Sequence, residues 1–137
     1  MKSVTTGYTG EKDSQGQMHG IGRYVYNNGD SYVGQWVNSK YSGLGKYRWS
    51  IGDEYIGSYA KHQRNGKGLL KLACGDTYTG EFKMDLYHGF GVYVFQSGEY
   101  GSYRGYYEAG RRHGFGEFKY TSGMSYSNLL THSCSLT

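Results

Sequence analysis

Proline is absent from the 137-residue chain, and cysteine occurs only twice, at Cys74 and Cys134. Without proline the chain cannot form collagen, which combines glycine at every third position with abundant proline. Two cysteines are too few for the disulfide framework of a small secreted domain, so we expect reduced thiols and a cytoplasmic setting. The first residues have no apolar core, which argues against a signal peptide.

Long apolar runs and a strong charge imbalance are missing too. The longest apolar stretches are short, such as Val92 to Phe95, whereas a membrane-spanning helix needs about 20 apolar residues. The formal net charge is only +4, which is too small to indicate a nucleic-acid or membrane partner by itself. No nucleic-acid-binding motif accompanies the charge, so we expect no nucleic-acid partner.

Glycine and tyrosine are in large excess, with 24 and 17 residues respectively. Glycine in a helix interior costs about 1 kcal/mol relative to alanine, so long helices are disfavoured. A flexible glycine-rich linker would not carry 18% aromatic residues. The composition therefore predicts a β-rich chain in which glycine occupies special backbone positions.

Three short patterns recur in register along almost the whole chain. A Gly-x-Gly pair begins at residues 20, 43, 66, 89 and 114, and a Tyr-x-Gly begins at residues 8, 32, 55, 78 and 103. A third position pairs glycine with an acid: Gly29-Asp30, Gly52-Asp53, Gly75-Asp76 and Gly98-Glu99. Each unit predicts a β-hairpin around the Gly-acid turn, followed by a loop such as that near residues 38–42.

The repeats predict an all-β fold, namely an elongated single-layer antiparallel sheet of five consecutive hairpins with ten strands. The expected array covers residues 8–126, with units at about 8–31, 32–54, 55–77, 78–102 and 103–126. Residues 1–7 form a lead-in, and residues 127–137 form a tail that we expect to fray from Leu129. The fourth unit carries two extra residues after Gly98, which predicts a bulge or wider turn there.

Strand alternation places aromatic rings and glycines on one face, called here the aromatic face. The missing glycine Cβ leaves space for a ring of the neighbouring strand to lie on backbone. This face is a candidate groove for a protein partner, and the alternative is that its rings only stack along the sheet. The candidate residues are Tyr24, Tyr26, Tyr32, Trp36, Tyr47, Trp49, Tyr55, Tyr59, Tyr78, Phe82, Tyr93, Phe95, Tyr103 and Tyr107.

The opposite face, called here the outer face, carries most of the charged strand positions. A solvated mixed-charge face is one interpretation, and a basic strip for an acidic protein or anionic lipid is the other. The strip consists of Lys46, Arg48, Lys67 and Lys71.

An apolar patch interrupts the charged outer face in the fourth unit. Such a patch indicates a protein contact or a homodimer interface, unless the tail with Leu129 and Leu130 folds back onto it. The patch consists of Phe90, Val92, Val94, Tyr106 and Phe115.

The polar residues of the repeat do not assemble a catalytic or metal site. His19, His88 and His113 share one repeat position, but equivalent residues of neighbouring units are about 9–10 Å apart. The same spacing separates the acids of the Gly-acid turns, which we expect to stabilise turns through hydrogen bonds to backbone. Cys74 has no histidine placed beside it as a base. We therefore predict a non-enzymatic protein without a metal or cofactor.

The chain resembles the MORN (membrane occupation and recognition nexus) repeat family in these motifs. The segment Tyr78-Thr79-Gly80-Glu81-Phe82 followed by His88-Gly89-Phe90-Gly91 is similar to the family pattern, and the resemblance covers about residues 8–126. Ser42 and Asn65 stand where the family has histidine.

The resemblance implies a scaffold or structural protein that mediates protein–protein contacts in a cytoskeletal assembly, with the axoneme of a cilium or flagellum favoured. Expected partners are microtubule-associated or axonemal proteins or a second copy of the chain. The expected location is the cytoplasmic cytoskeleton. The alternative is a peripheral module that binds phosphoinositides or another anionic membrane through the basic strip.

Overall fold

The computed structural model describes residues 5–130, with side chains for residues 5–127. The described residues form one open antiparallel sheet in which every strand pairs with its sequence neighbours, which confirms the predicted fold class. The strands are β1 (Gly7–Lys12), β2 (Met18–Val25), β3 (Ser31–Val37), β4 (Lys40–Arg48), β5 (Glu54–Ala60), β6 (Gln63–Lys71), β7 (Thr77–Lys83), β8 (Leu86–Val94), β9 (Tyr100–Glu108), β10 (Arg111–Tyr120) and β11 (Ser125–Leu130). The eleven strands exceed the predicted ten because the first Tyr-x-Gly forms a strand of its own, β1.

The described part of the chain contains no helix that is long and apolar enough to cross a membrane.

Two kinds of tight turn alternate along the sheet. The Gly-acid turns form as predicted; in the first, the amide of Tyr26 donates to the carbonyl of Asp30 at 2.9 Å. The predicted loop at residues 38–42 is wrong, because β4 already begins at Lys40. Asn38 and Ser39 have φ values of 50° and 60°, so both adopt the left-handed conformation that a two-residue type I′ turn requires. Both strand connections of the repeat are therefore hairpins.

Glycines pair with glycines across ten consecutive strands. The row runs through Gly10, Gly22, Gly34, Gly45, Gly57, Gly68, Gly80, Gly91, Gly105 and Gly116, and it ends at Asn128 of β11. The tyrosine of each Tyr-x-Gly lies over this row. A Cβ added at Gly45 would stand 2.2 Å from the Tyr32 hydroxyl oxygen, so only glycine leaves room for the ring. This confirms the predicted reason for interleaving glycine with aromatic rings.

The same tyrosines fix their rings with a hydrogen bond to the backbone. The hydroxyl of Tyr32 donates to the carbonyl of Gln35 at 2.9 Å. Burial raises the pKa of Tyr55 to about 12, so its hydroxyl remains a neutral donor. The five tyrosines that donate to the carbonyl three residues later are Tyr8, Tyr32, Tyr55, Tyr78 and Tyr103.

The first glycine of each Gly-x-Gly lies in a β-bulge. In β4 the ladder shifts between Gly34 and Trp36, and Gly43 has a φ of 69°. The side-chain oxygen of Gln35 accepts a hydrogen bond from the amide of Leu44 at 2.6 Å, which satisfies a donor that the bulge frees. The bulge leaves the Leu44 side chain 65% exposed on the outer face.

The fourth unit contains the further bulge that its two extra residues predict. Tyr120 faces Tyr100 while Lys119 faces Ser102, so Gly101 is the inserted residue. At the end of the sheet, β11 continues to Leu130, which corrects the expected fraying from Leu129. Leu129 pairs with Phe115 in the ladder, so these leucines extend the sheet by backbone pairing with β10. The predicted behaviour of residues 1–4 and 131–137 lies outside the described residues.

Candidate functional site

The aromatic face is largely the hydrophobic core of the protein. Eight of the fourteen candidate groove residues are no more than 7% exposed and offer almost no surface to a partner. They are Tyr32, Trp36, Tyr55, Tyr59, Tyr78, Phe82, Tyr103 and Tyr107. The other six remain half-buried: Tyr24, Tyr26, Tyr47, Trp49, Tyr93 and Phe95. A partner groove on this face stays a prediction, and only these six rings retain surface for it.

One further repeat position packs against this core, and it was not identified from the sequence. It is the first or second residue of each even-numbered strand and holds Met18, Tyr41, Arg64, Tyr87 and Arg112. Tyr41 stacks on Tyr32 with ring centroids 3.9 Å apart, and Tyr87 stacks on Tyr78 at the same distance. The spacing of 23 residues between the first four of these positions could have identified it.

Arginine replaces the stacked tyrosine at this position in the third unit. The Arg64 guanidinium carbon lies 5.3 Å from the Phe82 ring centroid and 5.7 Å from that of Tyr55. Its Nε donates to Asp85 Oδ1 at 3.1 Å, and Nη2 donates to the Asp85 carbonyl at 2.9 Å. The planar cation therefore covers aromatic rings as tyrosine does, while its charge is paired.

The type I′ turns connect successive units at one end of the strands. The amide of His62 donates to the Tyr41 carbonyl at 2.9 Å, and His62 Nδ1 accepts from the Tyr41 amide at 3.2 Å. Ser39 and Asp85 make the equivalent pair of contacts with Met18 and Arg64. His62 is exposed as a whole residue, but its ring stacks on Tyr41 with centroids 3.9 Å apart. This partial desolvation, and secondarily the charge of Lys40, lowers the pKa of His62 and keeps Nδ1 available as an acceptor.

At the opposite end of the strands, the aspartates of the Gly-acid turns also connect neighbouring units by hydrogen bonds. Asp76 accepts hydrogen bonds from the Gln96 amide at 2.8 Å and the Tyr93 hydroxyl at 2.7 Å, and these bonds lower its pKa. Asp30 accepts from the Tyr47 hydroxyl and the Ser50 amide, both at 2.8 Å. The predicted side-chain bonds to backbone are confirmed for Asp30, Asp53 and Asp76, but they reach the turn of the next unit.

The histidine position holds no metal cluster. Within residues 5–130, no three histidine, cysteine or acidic side chains are close enough to hold a metal ion together. His113 Nε2 instead lies 3.3 Å from Glu108 Oε2. Cys74 is exposed and free.

The basic strip is exposed but partly neutralised. Glu54 Oε1 lies 3.3 Å from Arg48 Nε and 3.9 Å from Lys46 Nζ. Lys71 faces the same Glu54 across the ladder, and Lys67 faces Glu81. Exposed ion pairs of this kind are screened and contribute little energy, but they reduce the net positive charge that an anionic surface would meet.

The outer face is more apolar than the sequence predicted. The apolar patch of the fourth unit is present. The rings of Phe90 and Tyr106 pack edge to face within it, with centroids 5.6 Å apart. Apolar side chains also continue into the first three units, where Ile21, Val33 and Ile56 are 56%, 44% and 43% exposed. An expected solvated, charged face therefore carries apolar residues along most of its length.

The fold and its repeated contacts define the chain as a β-hairpin repeat protein. The family model of the MORN repeat matches five times, at residues 8–31, 32–54, 55–77, 78–100 and 103–125. The chain therefore belongs to the MORN repeat family. Repeats of this family suggest a scaffold or a membrane-associated module, and the family is generally non-enzymatic.

The chain was also compared with curated proteins and with solved structures. No curated protein matches the chain. Among solved structures, the chain is similar to the SAS-4 (dCPAP) TCP domain of Drosophila melanogaster in complex with a proline-rich motif of Ana2 (dSTIL). The TM-score is 0.36 and the identity is 16%, over 86% of this chain and 70% of that chain.

Proposed function

We propose that the chain is a non-enzymatic MORN-repeat scaffold that mediates protein–protein contacts in a cytoskeletal assembly, with the axoneme of a cilium or flagellum favoured. The open sheet with apolar side chains exposed along its outer face is the observation that carries the proposal. Contiguous exposed apolar surface is typical of an interaction site. The cytoskeletal setting rests on the family resemblance of the sequence.

The rigid core supports a scaffolding role. Rings pack from unit to unit without a break, for example Tyr55 against Phe82 and Tyr78 against Tyr107, with centroids 5.0 Å and 5.4 Å apart. Turn contacts join neighbouring units at both ends of the strands. Ten strand spacings of about 4.8 Å separate the edge strands by about 48 Å, so the sheet can hold partner segments at fixed separations.

Proximity labelling tests this function most directly. A biotin ligase is fused to the full chain in ciliated cells, and labelled proteins are identified before and after detergent extraction. We expect the chain and its labelled partners to stay in the detergent-resistant cytoskeletal fraction. Two results together would favour the membrane-binding module over the scaffold. Detergent would extract the chain completely, and the purified chain would bind phosphoinositide vesicles at physiological salt.

A matched pair of substitutions assigns the result to the outer face. Val92→Lys places a charge among apolar side chains and opposite Arg104, whereas Ile51→Lys changes a turn residue that is 73% exposed. We expect Val92→Lys to lose the labelled partners and Ile51→Lys to keep them, with the same thermal midpoint in both.

A further inference from the structure

Apolar side chains of the outer face, most of them exposed and two of them (Leu69 and Val92) half-buried, form a band that crosses the strands. One row follows the ladder through Val33, Lys46, Ile56, Leu69, Thr79 and Val92. The neighbouring row contains the central residues of the Gly-x-Gly bulges. The band is interrupted at β7, where Thr79 and Glu81 occupy the two rows. We call the apolar members of both rows the apolar band: Ile21, Val33, Leu44, Ile56, Leu69, Phe90, Val92, Tyr106 and Phe115.

The apolar band includes an open groove in the centre of the sheet. The groove has a volume of about 680 Å³, and its lining includes Ile56, Leu69, Phe90 and Val92. Lys67 and Glu81 also line this groove, where they face each other across the ladder and interrupt the row of bulge residues. The groove therefore combines an apolar floor with one polar pair that can fix the register of an occupant.

The backbone under the apolar band cannot pair with an added strand. Strands β2 to β10 already have a neighbour on each side. A segment that crosses them must satisfy its own backbone polar groups, and an α-helix does so internally. Two strand spacings cover about 9.6 Å, close to the rise of about 10.5 Å over seven helical residues. A helix with an apolar stripe thus matches the repeat of the sheet.

The charges of the outer face favour an acidic occupant over a second copy. The strand positions of this face carry ten basic and five acidic side chains. Two of the basic side chains, Lys46 and Arg104, are exposed directly within the rows of the apolar band. Two copies packed through this face would bring like charges together, which costs binding free energy.

We infer that the apolar band docks an amphipathic α-helix of a partner protein, laid across the strands, with acidic residues flanking its apolar stripe. The band extends from β2 to β10, which is about 38 Å, so it accommodates a helix of about 25 residues. This inference rests on the proposed scaffold function and specifies the chemistry of the partner segment.

A displayed library of 25-residue helices tests the inference without knowledge of the partner. Each peptide has a fixed leucine stripe, and its flanking positions are randomised among Glu, Gln and Lys. Purified full chain at physiological salt is the bait. We expect the selected peptides to be enriched in Glu on both flanks. Selection of neutral or Lys-rich flanks would overturn the inference.

Substitutions of the apolar band then locate the binding site. Ile56→Ser with Leu69→Ser should weaken a selected Glu-flanked peptide by about tenfold or more, while Ile51→Ser should leave its affinity unchanged. Lys46→Glu with Arg104→Glu should weaken the Glu-flanked peptide and spare its Gln-flanked version, with Lys61→Glu as the exposed control. If either double substitution leaves the affinity for the Glu-flanked peptide unchanged, the inference is contradicted.

Failure of this inference is distinguishable from failure of the scaffold function. If proximity labelling gives cytoskeletal partners that depend on Val92 but the library shows no acidic preference, the function stands and the helix is wrong. Sedimentation velocity tests for a second copy. If the wild-type chain is a dimer, and Ile56→Ser with Leu69→Ser makes it a monomer, the apolar band binds a second copy instead of a partner helix.

Discussion

The ring of Tyr55 lies against the backbone of Gly68 on the adjacent strand, where a Cβ would stand 2.4 Å from Tyr55 Cε2. The Tyr55 hydroxyl donates to the Ser58 carbonyl at 2.8 Å, so the ring cannot move aside without losing that bond. This arrangement recurs across the glycine row and lets a single layer of strands bury aromatic rings completely.

Gly68→Ala should destabilise the fold by about 2–3 kcal/mol, because the added methyl group overpacks a ring that has no free space. Gly16→Ala is the matched control: its φ is 79° and no atom lies within 4 Å of the added Cβ. The control should lose only about 1 kcal/mol, the cost of a left-handed conformation. Urea unfolding followed by tyrosine fluorescence measures both.

A double-mutant cycle attributes this loss to the collision. Tyr55→Ala removes the ring, so the cost of Gly68→Ala should fall by about 1 kcal/mol or more in that background. Additive losses would show that the ring is not what excludes a side chain at position 68.

Arg64 should be replaceable by the residues that other units use, but not by alanine. Arg64→Ala should cost about 2–3 kcal/mol because it uncovers aromatic rings and leaves Asp85 without its ion-pair partner. Arg64→Tyr combined with Asp85→His copies the Tyr41 and His62 pair and should recover most of that loss. Arg111→Ala, at an exposed position, should change stability by less than about 0.5 kcal/mol.

Thermal unfolding of these three variants and of the wild-type chain measures the exchange. If Arg64→Ala and the combination of Arg64→Tyr with Asp85→His lose the same stability, the residues of this repeat position are not interchangeable.

His62 should make the fold less stable in mild acid. Its pKa is lowered in the folded state, so folding disfavours its protonation relative to an unfolded value of about 6.5. The contribution of neutral His62 is present above that value and is lost as the pH falls through the folded-state pKa. His62→Ser copies Ser39 and should flatten the dependence of the thermal midpoint between pH 8 and pH 5. An unchanged slope would show that His62 does not titrate with unfolding.

Asp76 should contribute more than Asp53 because the two aspartates have different partners. Asp76→Asn should cost about 1–2 kcal/mol at pH 7, since it weakens the bonds from Tyr93 and Gln96. Asp53 accepts from the Ala73 amide at 2.7 Å, but the position equivalent to Tyr93 holds Leu70, so Asp53→Asn should cost less.

The pH dependence of the Asp76 effect has a definite sign. The pKa of Asp76 is lowered on folding, so its stabilising contribution is present above an unfolded value of about 3.9 and is lost as the pH falls through the folded-state pKa. The stability difference between the wild-type chain and Asp76→Asn should therefore shrink towards pH 2–3 in urea titrations. A constant difference would assign the loss to packing.

The recurring glycines made the sheet and its aromatic face predictable from sequence. Gly45 and Gly68 mark where a ring must lie on backbone, and strand alternation then orients every neighbouring side chain. The turn at Asn38 and Ser39 was mistaken for a loop because its residues differ between units and contain a glycine only once, at Gly110.

Side-chain partners across units were beyond the sequence pattern. Tyr41 and Arg64 are chemically different residue types, so their identities give no sign that they are equivalent. The stacking of Tyr41 on Tyr32 and the contact of Arg64 with Phe82 show that both cover the core.

Ile21 and Leu44 occupy the same repeat position as Phe90 and Phe115, so strand alternation places them on the outer face too, but the predicted apolar patch was confined to the end of the sheet that holds Phe90 and Phe115. The apolar character of that face was therefore underestimated.

Co-fractionation of outer-face variants with the cytoskeleton tests the central claim most directly, namely that the core holds the sheet while the apolar band binds a protein partner. Ile56→Ser with Leu69→Ser should keep a cooperative thermal transition yet release the chain from the detergent-resistant fraction, while Ile51→Ser remains bound. Retention of the double variant in that fraction, with its fold intact, would contradict the claim.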